Sequence, residues 1–339
     1  MKPGLGRLLQ TFWLVATLLS SGLQTNLSAD KRLTTIQTSQ GSAQQPAPDS
    51  ETQPARYASR FISINGTRLH YIVQGTGRPV VLIHGNPGSA HDWMPVLTPL
   101  ALHHRVIAFD RPGHGRSQRP KHTEATVEVQ AQLIHDALVQ LHVERPIIVG
   151  HSWAGALALA YAINYAKEVA GVVVIAPAVY ESHDGSFWTG ISSVPVIGDA
   201  ATYVFTPLFG SSLIHSELKK AFSPDPVPKS YQHAVLNEWT KPGRVRAYAL
   251  DESTFNSSLR KISPLYPEIT VALSILAGDS DLIVSGKENA MRLHGAVPQS
   301  RLVILPRTGH QIPFTRPHFV MVEIERLLRL STTRSLRIS

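Results

Sequence analysis

The chain carries a serine at a position where it could act as a catalytic nucleophile. Ser152 lies in "IVGHSWAG", directly after the apolar run "RPIIVG" and directly before the alanine-rich stretch "WAGALALAYAINYA". A serine on a sharp strand-to-helix turn exposes its hydroxyl, and such turns usually have the sequence G-x-S-x-G. Ala154 occupies the second glycine position, where a small residue is needed. Ser152 is therefore the candidate nucleophile.

Candidate partners for this serine follow it along the chain. A serine hydroxyl is a weak nucleophile until a base accepts its proton and an acid orients that base. The run "VALSILAG" ends in "DSDLIV", which offers Asp279 and Asp281, and "RLVILP" is followed by "RTGHQIPF" with His310. His310 is the predicted base, and one of the two aspartates is the predicted acid. The amide of Trp153 is a predicted donor to the oxyanion of a tetrahedral intermediate.

These side chains need a scaffold that brings strand ends together. Residues 60–66 and 69–75 predict a β-hairpin around Asn65-Gly66. Six further apolar runs predict strands buried on both faces: "PVVLIHG", "HRVIAFD", "RPIIVG", "AGVVVIAP", "TVALSILAGD" and "SRLVILP". Helices are predicted at 90–102, 123–141, 153–165, 286–293 and 317–330. The predicted fold class is α/β, with a mostly parallel sheet, helices on both faces and an antiparallel hairpin at its start.

One interval interrupts the alternation of strands and helices. Residues 179–263 contain prolines, aromatic residues and several short helical patterns, but no buried strand. They predict a helical cap inserted into a core formed by residues 57–178 and 264–333. Apolar cap residues could line a pocket, so an apolar part of the substrate is expected. These residues are Phe187, Trp188, Ile191, Val194, Val196, Ile197, Val204, Phe205, Leu208 and Phe209.

The N-terminal part has the features of a targeting segment. Lys2 and Arg7 precede an apolar stretch at 8–19, so residues 1–29 are predicted to be a signal peptide or an N-terminal anchor. The protein is accordingly expected to be exported, to the periplasm or the medium, or anchored to a membrane. Residues 30–56 are rich in Thr, Gln, Ser, Ala and Pro and predict a disordered linker.

Composition excludes several classes of function. The 339 residues are 43% hydrophobic and 17% charged, as in an ordinary globular protein. The net charge is +8, but the basic residues are scattered, so a nucleic-acid partner is not expected, while association with a membrane surface stays open. The absence of cysteine excludes disulfides and thiolate catalysis. No metal cluster or cofactor fingerprint is present, so the expected partner is a small-molecule substrate without cofactor or metal; the oligomeric state stays open.

Five segments together resemble one known family. "HGNPGS", "FDRPGHGRS", "GHSWAG", "GDSDLIV" and "RTGHQIPF" occur in the order found in α/β-hydrolase-fold serine hydrolases, over residues 57–333. The resemblance, to the esterase, haloperoxidase and dehalogenase-like branch, implies a G-x-x-D acid, which favours Asp281 over Asp279. It also implies a second oxyanion donor after "HG", at Asn86. His84 and Asp110 are expected to hold their loops.

The resemblance leaves several activities open. Asn86 and Trp153 are also types that bind halide in dehalogenating relatives, but those relatives and the epoxide hydrolases attack with an aspartate where this chain has Ser152. A serine ether would not be hydrolysed by the same attack of water, which disfavours both activities. The expected reaction is hydrolysis of a carboxylic ester through an acyl-enzyme. A carbon–carbon bond hydrolase, a cofactor-free perhydrolase or haloperoxidase, and a non-catalytic receptor remain alternatives.

A prolyl-aminopeptidase-like peptidase is a further alternative, and it would need cap acids to hold the substrate amine. The candidates are Glu181, Asp184, Asp199, Glu217, Asp225, Glu238, Asp251 and Glu252.

Overall fold

An eight-stranded sheet forms the centre of the fold in a computed structural model, which describes residues 57–120, 123–182 and 199–335. The predicted leader and linker lie outside these residues. The strand order is β1-β2-β4-β3-β5-β6-β7-β8. The strands are β1 Ala58–Ile64, β2 Thr67–Gln74, β3 Pro79–Ile83, β4 Arg105–Phe109, β5 Ile147–His151, β6 Gly171–Ile175, β7 Leu273–Gly278 and β8 Arg301–Leu305.

The sheet is antiparallel at one end and parallel elsewhere. Strands β1 and β2 form the predicted hairpin, in which Ile64 pairs with Thr67 across Asn65-Gly66. Both turn residues have positive φ, 48° and 77°, which a two-residue hairpin of this twist requires. Strand β2 pairs antiparallel with β4, and the strands from β4 to β8 are parallel. The predicted α/β fold class is confirmed.

Helices cover both faces of the sheet. The helices are α1 Met94–Leu100, preceded by a 3₁₀ turn Ala90–Trp93, α2 Val127–Gln140, α3 Ala154–Asn164, α4 Asp199–Phe222, α5 Lys229–Trp239, α6 Pro242–Ile262, α7 Arg292–Ala296, α8 Ile312–Thr315 and α9 Pro317–Ser335. Alternate residues of β3 point to opposite sides: Val80 and Leu82 pack with α1 and α9, and Val81 and Ile83 pack with α2 and α3. A π-helical turn at Lys287–Met291 precedes α7.

Strand β8 differs from the prediction. The sequence suggested a strand buried on both faces, whereas Arg301 and Ile304 are exposed. The reason is its position, because β8 is the last strand in the order and has a neighbour on one side only. Its apolar run nevertheless ends at the same edge as β7, which matters for the site.

In the described part of the chain, three α-helices, α4 to α6, lie between β6 and β7. They have 24, 11 and 21 residues, so α4 and α6 are much longer than the short patterns seen in the sequence. Helix α6 is amphipathic around central residues such as Tyr248 and Leu259, which are buried, and this packing supports the extra length. The cap assignment of residues 179–263 stays a prediction. Its apolar candidates between positions 187 and 209 have side chains outside the described part of the chain.

Candidate active site

Ser152 occupies the turn between β5 and α3. Its φ is +54°, in the left-handed region that a residue with a Cβ rarely adopts. Three hydrogen bonds fix this backbone: the Ser152 amide donates to Ile175 O (2.9 Å), and the Ser152 carbonyl accepts from the amides of Gly155 (2.8 Å) and Ala178 (3.1 Å). Local strain of this kind persists where the surroundings determine it, and it is frequent at functional sites.

Small residues around Ser152 make this turn possible. A Cβ at position 150 would lie 2.1 Å from the carbonyl oxygen of Ala154, and a Cβ at position 155 would lie 2.8 Å from the Cβ of Pro177. Glycine is thus required at 150, and Gly155 lets the helix approach the strand-end loop. The methyl group of Ala154 is fully buried and accommodated. The departure from G-x-S-x-G therefore falls at a position where alanine fits.

His310 and Asp281 form a hydrogen-bonded pair at the ends of β8 and β7. Nδ1 of His310 lies 2.7 Å from Oδ2 of Asp281, while Oδ1 of Asp281 accepts from the amides of Ile283 (2.8 Å) and Val284 (2.9 Å). Burial raises the pKa of Asp281, but His310 and the two amides hold it below its ordinary value. An ionised Asp281 favours the proton on Nδ1, which leaves Nε2 of His310 as a proton acceptor.

The structure distinguishes between the two candidate aspartates by position. Asp279 is exposed and accepts a hydrogen bond from Ser280 Oγ (2.8 Å), whereas the side chain of Asp281 is 3% exposed and contacts His310. A Cβ at Gly278 would lie 2.0 Å from the carbonyl oxygen of Thr308. This close approach between the two loops brings Asp281 and His310 together.

Ser152 and His310 line one cavity of about 520 Å³. The predicted oxyanion donors, Asn86 and Trp153, line it as well. A Cβ at Gly85 would lie 3.0 Å from the Cβ of Ser152, which shows how closely the segment after β3 approaches the serine. The contacts of the described residues include no direct Ser152–His310 hydrogen bond. Such bonds are often long in empty sites and shorten when substrate binds.

His84 holds the segment after β3. Its Nδ1 donates to the carbonyl of Gly85 (2.8 Å), and its Nε2 accepts from the amide of Arg111 (2.9 Å). Burial, followed by the nearby Arg111 charge, lowers the pKa of His84 well below its ordinary value, so the ring is neutral. These bonds correspond to the loop-holding role expected from the sequence.

Asp110 organises the loop after β4. Its carboxylate accepts from Nδ1 of His70 (2.7 Å) and from the amides of Ala90 (2.6 Å) and Arg116 (2.7 Å). Burial raises the pKa of Asp110, but these donors bring it below the ordinary value. The carboxylate thereby connects β2, the turn before α1 and its own loop.

Comparison with known proteins identifies the family to which the chain belongs. A family model described as alpha/beta hydrolase fold matches residues 78–317. The chain belongs to the α/β-hydrolase family. A 2-hydroxy-6-oxo-2,4-heptadienoate hydrolase of Pseudomonas putida is 30% identical over 253 residues, which cover 73% of this chain and 86% of that protein.

Two further similar proteins are a peptidase and a lactonase. A proline iminopeptidase of Saccharolobus solfataricus is 25% identical over 276 residues, covering 74% of this chain and 84% of that protein. The crystal structure of the enol-lactonase from Burkholderia xenovorans LB400 has a TM-score of 0.68 at 21% identity, covering 80% of this chain and 100% of that one. The family and its hydrolase relatives identify the chain as a hydrolase.

The cavity of this α/β hydrolase is acidic. Four glutamates, Glu181, Glu217, Glu252 and Glu288, are among the described residues that line it, and none of those residues is a lysine or arginine. Two of the four are paired with cations outside the lining, Glu181 with Arg260 and Glu217 with Lys220 (2.6 and 2.8 Å). The site therefore favours neutral or positively charged groups over anions.

The eight cap acids considered from the sequence have different surroundings. Three of them line the cavity: Glu181, which pairs with Arg260, Glu217, which pairs with Lys220, and Glu252. Asp225 pairs with Arg316, Glu238 pairs with Lys241, and Asp251 is buried in an ionic network. The side chains of Asp184 and Asp199 lie outside the described residues.

Glu252 is the cavity acid in direct contact with the predicted oxyanion segment. Its Oε1 accepts from Nδ2 of Asn86 (2.7 Å), so α6 contacts the segment after β3. Burial raises the pKa of Glu252 to about 7, against the lowering effect of Asn86. The Oδ1 of Asn86 and the Nε1 of Trp153 are buried without a partner among the described residues.

The turn at Ser152 gives a first prediction, for Gly150→Ala. The added Cβ would meet the carbonyl oxygen of Ala154, so we expect a loss of about 1–3 kcal/mol in the free energy of unfolding. Gly243→Ala is the control, because a Cβ there meets nothing within 4 Å and the residue lies in α6. Its effect should be neutral or stabilising by up to about 1 kcal/mol. Denaturant titration measures both, and equal effects would contradict the crowding at position 150.

Glu252 gives a second prediction, on the pH dependence of stability. The pKa of Glu252 is about 7 in the folded protein, above its ordinary value of 4.5, so the folded state keeps this carboxyl group protonated where the unfolded chain ionises it. The stability that this protonation contributes is lost as pH rises through 7. The wild-type protein should lose about 2–3 kcal/mol of stability from this group between pH 5 and 8. Glu252→Gln should therefore gain in melting temperature relative to wild type as pH rises. Glu238→Gln, at a glutamate outside the cavity lining, is the control against which this trend is compared.

Proposed function

We propose that this hydrolase cleaves carboxylic esters through an acyl-enzyme on Ser152. The observation that carries the proposal is the hydrogen-bonded His310–Asp281 pair, in which His310 lines the same cavity as a serine held at φ +54°. A serine, a histidine and an acid that orients the histidine are the groups that nucleophilic acyl transfer needs.

The proposed reaction has two halves. In the first, Nε2 of His310 accepts the proton of Ser152 Oγ as that oxygen attacks the ester carbonyl, and then donates it to the departing alcohol. In the second, His310 accepts a proton from water, which attacks the acyl-enzyme, and returns the proton to Ser152 as the carboxylic acid leaves. Asp281 stabilises the imidazolium in both halves without itself becoming protonated.

The tetrahedral intermediates carry negative charge on the former carbonyl oxygen. We assign the stabilising donors to the backbone amides of Asn86 and Trp153, which lie on the two segments that flank Ser152 in the cavity. Loss of one such donor typically reduces kcat by ~10²–10³.

The charge of the cavity supports a substrate class. The glutamates of the lining, two of which are paired with Arg260 and Lys220, favour neutral esters over anions. The aromatic rings of Trp153, Phe255 and Trp239 support an apolar acyl or alkyl part. The similar Pseudomonas putida protein is named for a substrate that carries a carboxylate. An acidic cavity does not favour such an anion, so the carbon–carbon hydrolase alternative has less support.

Glu252 favours a second candidate function, removal of an N-terminal residue from a peptide. A buried carboxyl beside Asn86 could bind a substrate ammonium group, and one similar protein is a proline iminopeptidase. Binding of the ammonium group would keep Glu252 ionised, since an opposite charge lowers the pKa of a carboxyl group.

Ser152→Ala tests the main proposal. Turnover of p-nitrophenyl butyrate should fall by at least ~10³, because the acyl-enzyme no longer forms. Ser253→Ala is the matched control, since Ser253 lines the same cavity and is exposed. A fluorophosphonate probe should label wild type and Ser253→Ala on Ser152 and leave Ser152→Ala unlabelled. Retained turnover in folded Ser152→Ala would refute the nucleophile, and an unlabelled, inactive wild type would point to a receptor.

Glu252→Gln separates the two candidate functions. If peptides with a free amine are substrates, KM for prolyl p-nitroanilide should rise about 10–100-fold, because a charge-assisted hydrogen bond is lost. The change for neutral p-nitrophenyl butyrate should be far smaller. Equal changes for the two substrates, or no wild-type turnover of the anilide, would exclude the peptidase.

A further inference from the structure

We propose that Arg111 is a positioning residue for the reaction, which aligns both predicted oxyanion segments and connects them to helix α6. The inference rests on the proposed function, since it concerns the same site. Arg111 lies in "FDRPGHGRS" after β4 and is fully buried, and it is absent from the lining of the cavity. It therefore acts through other residues rather than on the substrate.

The guanidinium contacts the segment after β3 in two places. Its Nε donates to the carbonyl of His84 (3.1 Å), and one terminal nitrogen donates to the carbonyl of Gly85 (2.9 Å). These are the two carbonyls that directly precede Asn86. The peptide plane between Gly85 and Asn86 contains both the bonded carbonyl and the Asn86 amide, so fixing the carbonyl oxygen also fixes the direction of the predicted donor.

The same side chain also contacts the second predicted donor residue. The Cζ of Arg111 lies 4.1 Å from the centre of the Trp153 ring, within the range of a cation–π interaction. Phe255 stacks on that ring, with the centroids 5.1 Å apart and the planes 21° apart. One arginine thus contacts both segments from which the oxyanion donors are proposed to come.

Helix α6 completes the arrangement with three residues on about one turn. Asp251 accepts from Arg111 (2.6 Å), Glu252 accepts from the Asn86 side chain (2.7 Å), and Phe255 stacks on Trp153. Each of these three contacts is made with Arg111 or with one of the two predicted donor residues. Docking of α6 is therefore coupled to the arrangement of the donors.

The buried charge of Arg111 is compensated within the network. Asp251 is fully buried and also accepts from Arg119 (2.5 Å), His114 (2.9 Å) and Gln130 (3.0 Å). Burial raises the pKa of Asp251, but the Arg111, His114 and Arg119 groups hold it well below its ordinary value, so the carboxylate is ionised. Arg119 shares Asp251 with Arg111 but makes its other described bond to Ala247 O (3.3 Å), away from the donor segments.

Arg111→Lys and Arg119→Lys form a matched pair in the full-length protein. Each keeps a positive charge near Asp251, but a lysine lacks the planar fork that bonds two carbonyls at once. We expect Arg111→Lys to lower kcat for p-nitrophenyl butyrate about 10–100-fold with KM little changed, as for lost transition-state stabilisation. Arg119→Lys should stay within about threefold of wild type, even if both lose similar thermal stability.

Comparison of an oxoester with its thionoester analogue gives a rate ratio that a general loss of stability would not change. Amide donors bond less strongly to sulfur than to oxygen, so damage to the donors slows the oxoester more than the thionoester. The ratio of oxoester to thionoester kcat should fall in Arg111→Lys and stay constant in Arg119→Lys. If Arg111→Lys does not fold, Arg111→Gln is used with Arg119→Gln as its control, because Asp251 then still pairs with Arg119.

The outcomes separate this inference from the proposed function. Equal kcat losses in the two lysine variants, a change confined to KM, or an unchanged oxoester to thionoester ratio would each overturn the role of Arg111. Turnover retained by Ser152→Ala would instead overturn the proposed function. If Ser152→Ala is inactive, any one of the three results for the Arg111 variants refutes the positioning role and leaves the proposed function standing.

Discussion

A fully buried guanidinium must find acceptors inside the protein, because an unpaired buried charge is severely destabilising. Arg111 meets this requirement with the carbonyls of His84 and Gly85, the side chain of Gln130 and the carboxylate of Asp251. These acceptors come from the segment after β3, from α2 and from α6, which are far apart in sequence. The need to satisfy one cation thus brings three parts of the fold together beside Ser152.

Two buried carboxyl groups near the site differ in pKa because their hydrogen-bond partners differ. Asp281 accepts from two backbone amides and from His310, which keeps its pKa below the ordinary value despite burial. Glu252 is similarly buried but has a neutral amide from Asn86 as its hydrogen-bond partner, and its pKa is raised to about 7. One carboxylate can thus orient a histidine at neutral pH, while the other changes its charge with conditions or with a bound ligand.

The sequence was most informative where chemistry and chain order coincide. The sheet, its hairpin and the loops with Ser152, Asp281 and His310 follow from local patterns, since parallel strands end at one edge. The exposure of β8 does not follow from such local patterns, because the burial of a strand depends on its place in the strand order rather than on its own composition. Glu252 was among the candidate cap acids, but its contact with Asn86 and the contacts of Arg111 were not predicted, for a related reason. Arg111 and Asp251 are 140 positions apart, and no local pattern predicts such a pairing; "DRPGHG" alone offered a weak signal.

Helix α6 forms part of the cavity wall through Glu252 and Phe255, and the same two side chains support Asn86 and Trp153. A substitution that reshapes the wall at either position also alters the support of those residues. Under the proposed function, a substitution at either position would change substrate range and catalytic rate together. Divergence toward new substrates would proceed more freely through wall residues that contact neither Asn86, Trp153 nor Asp281 than through the inner face of α6.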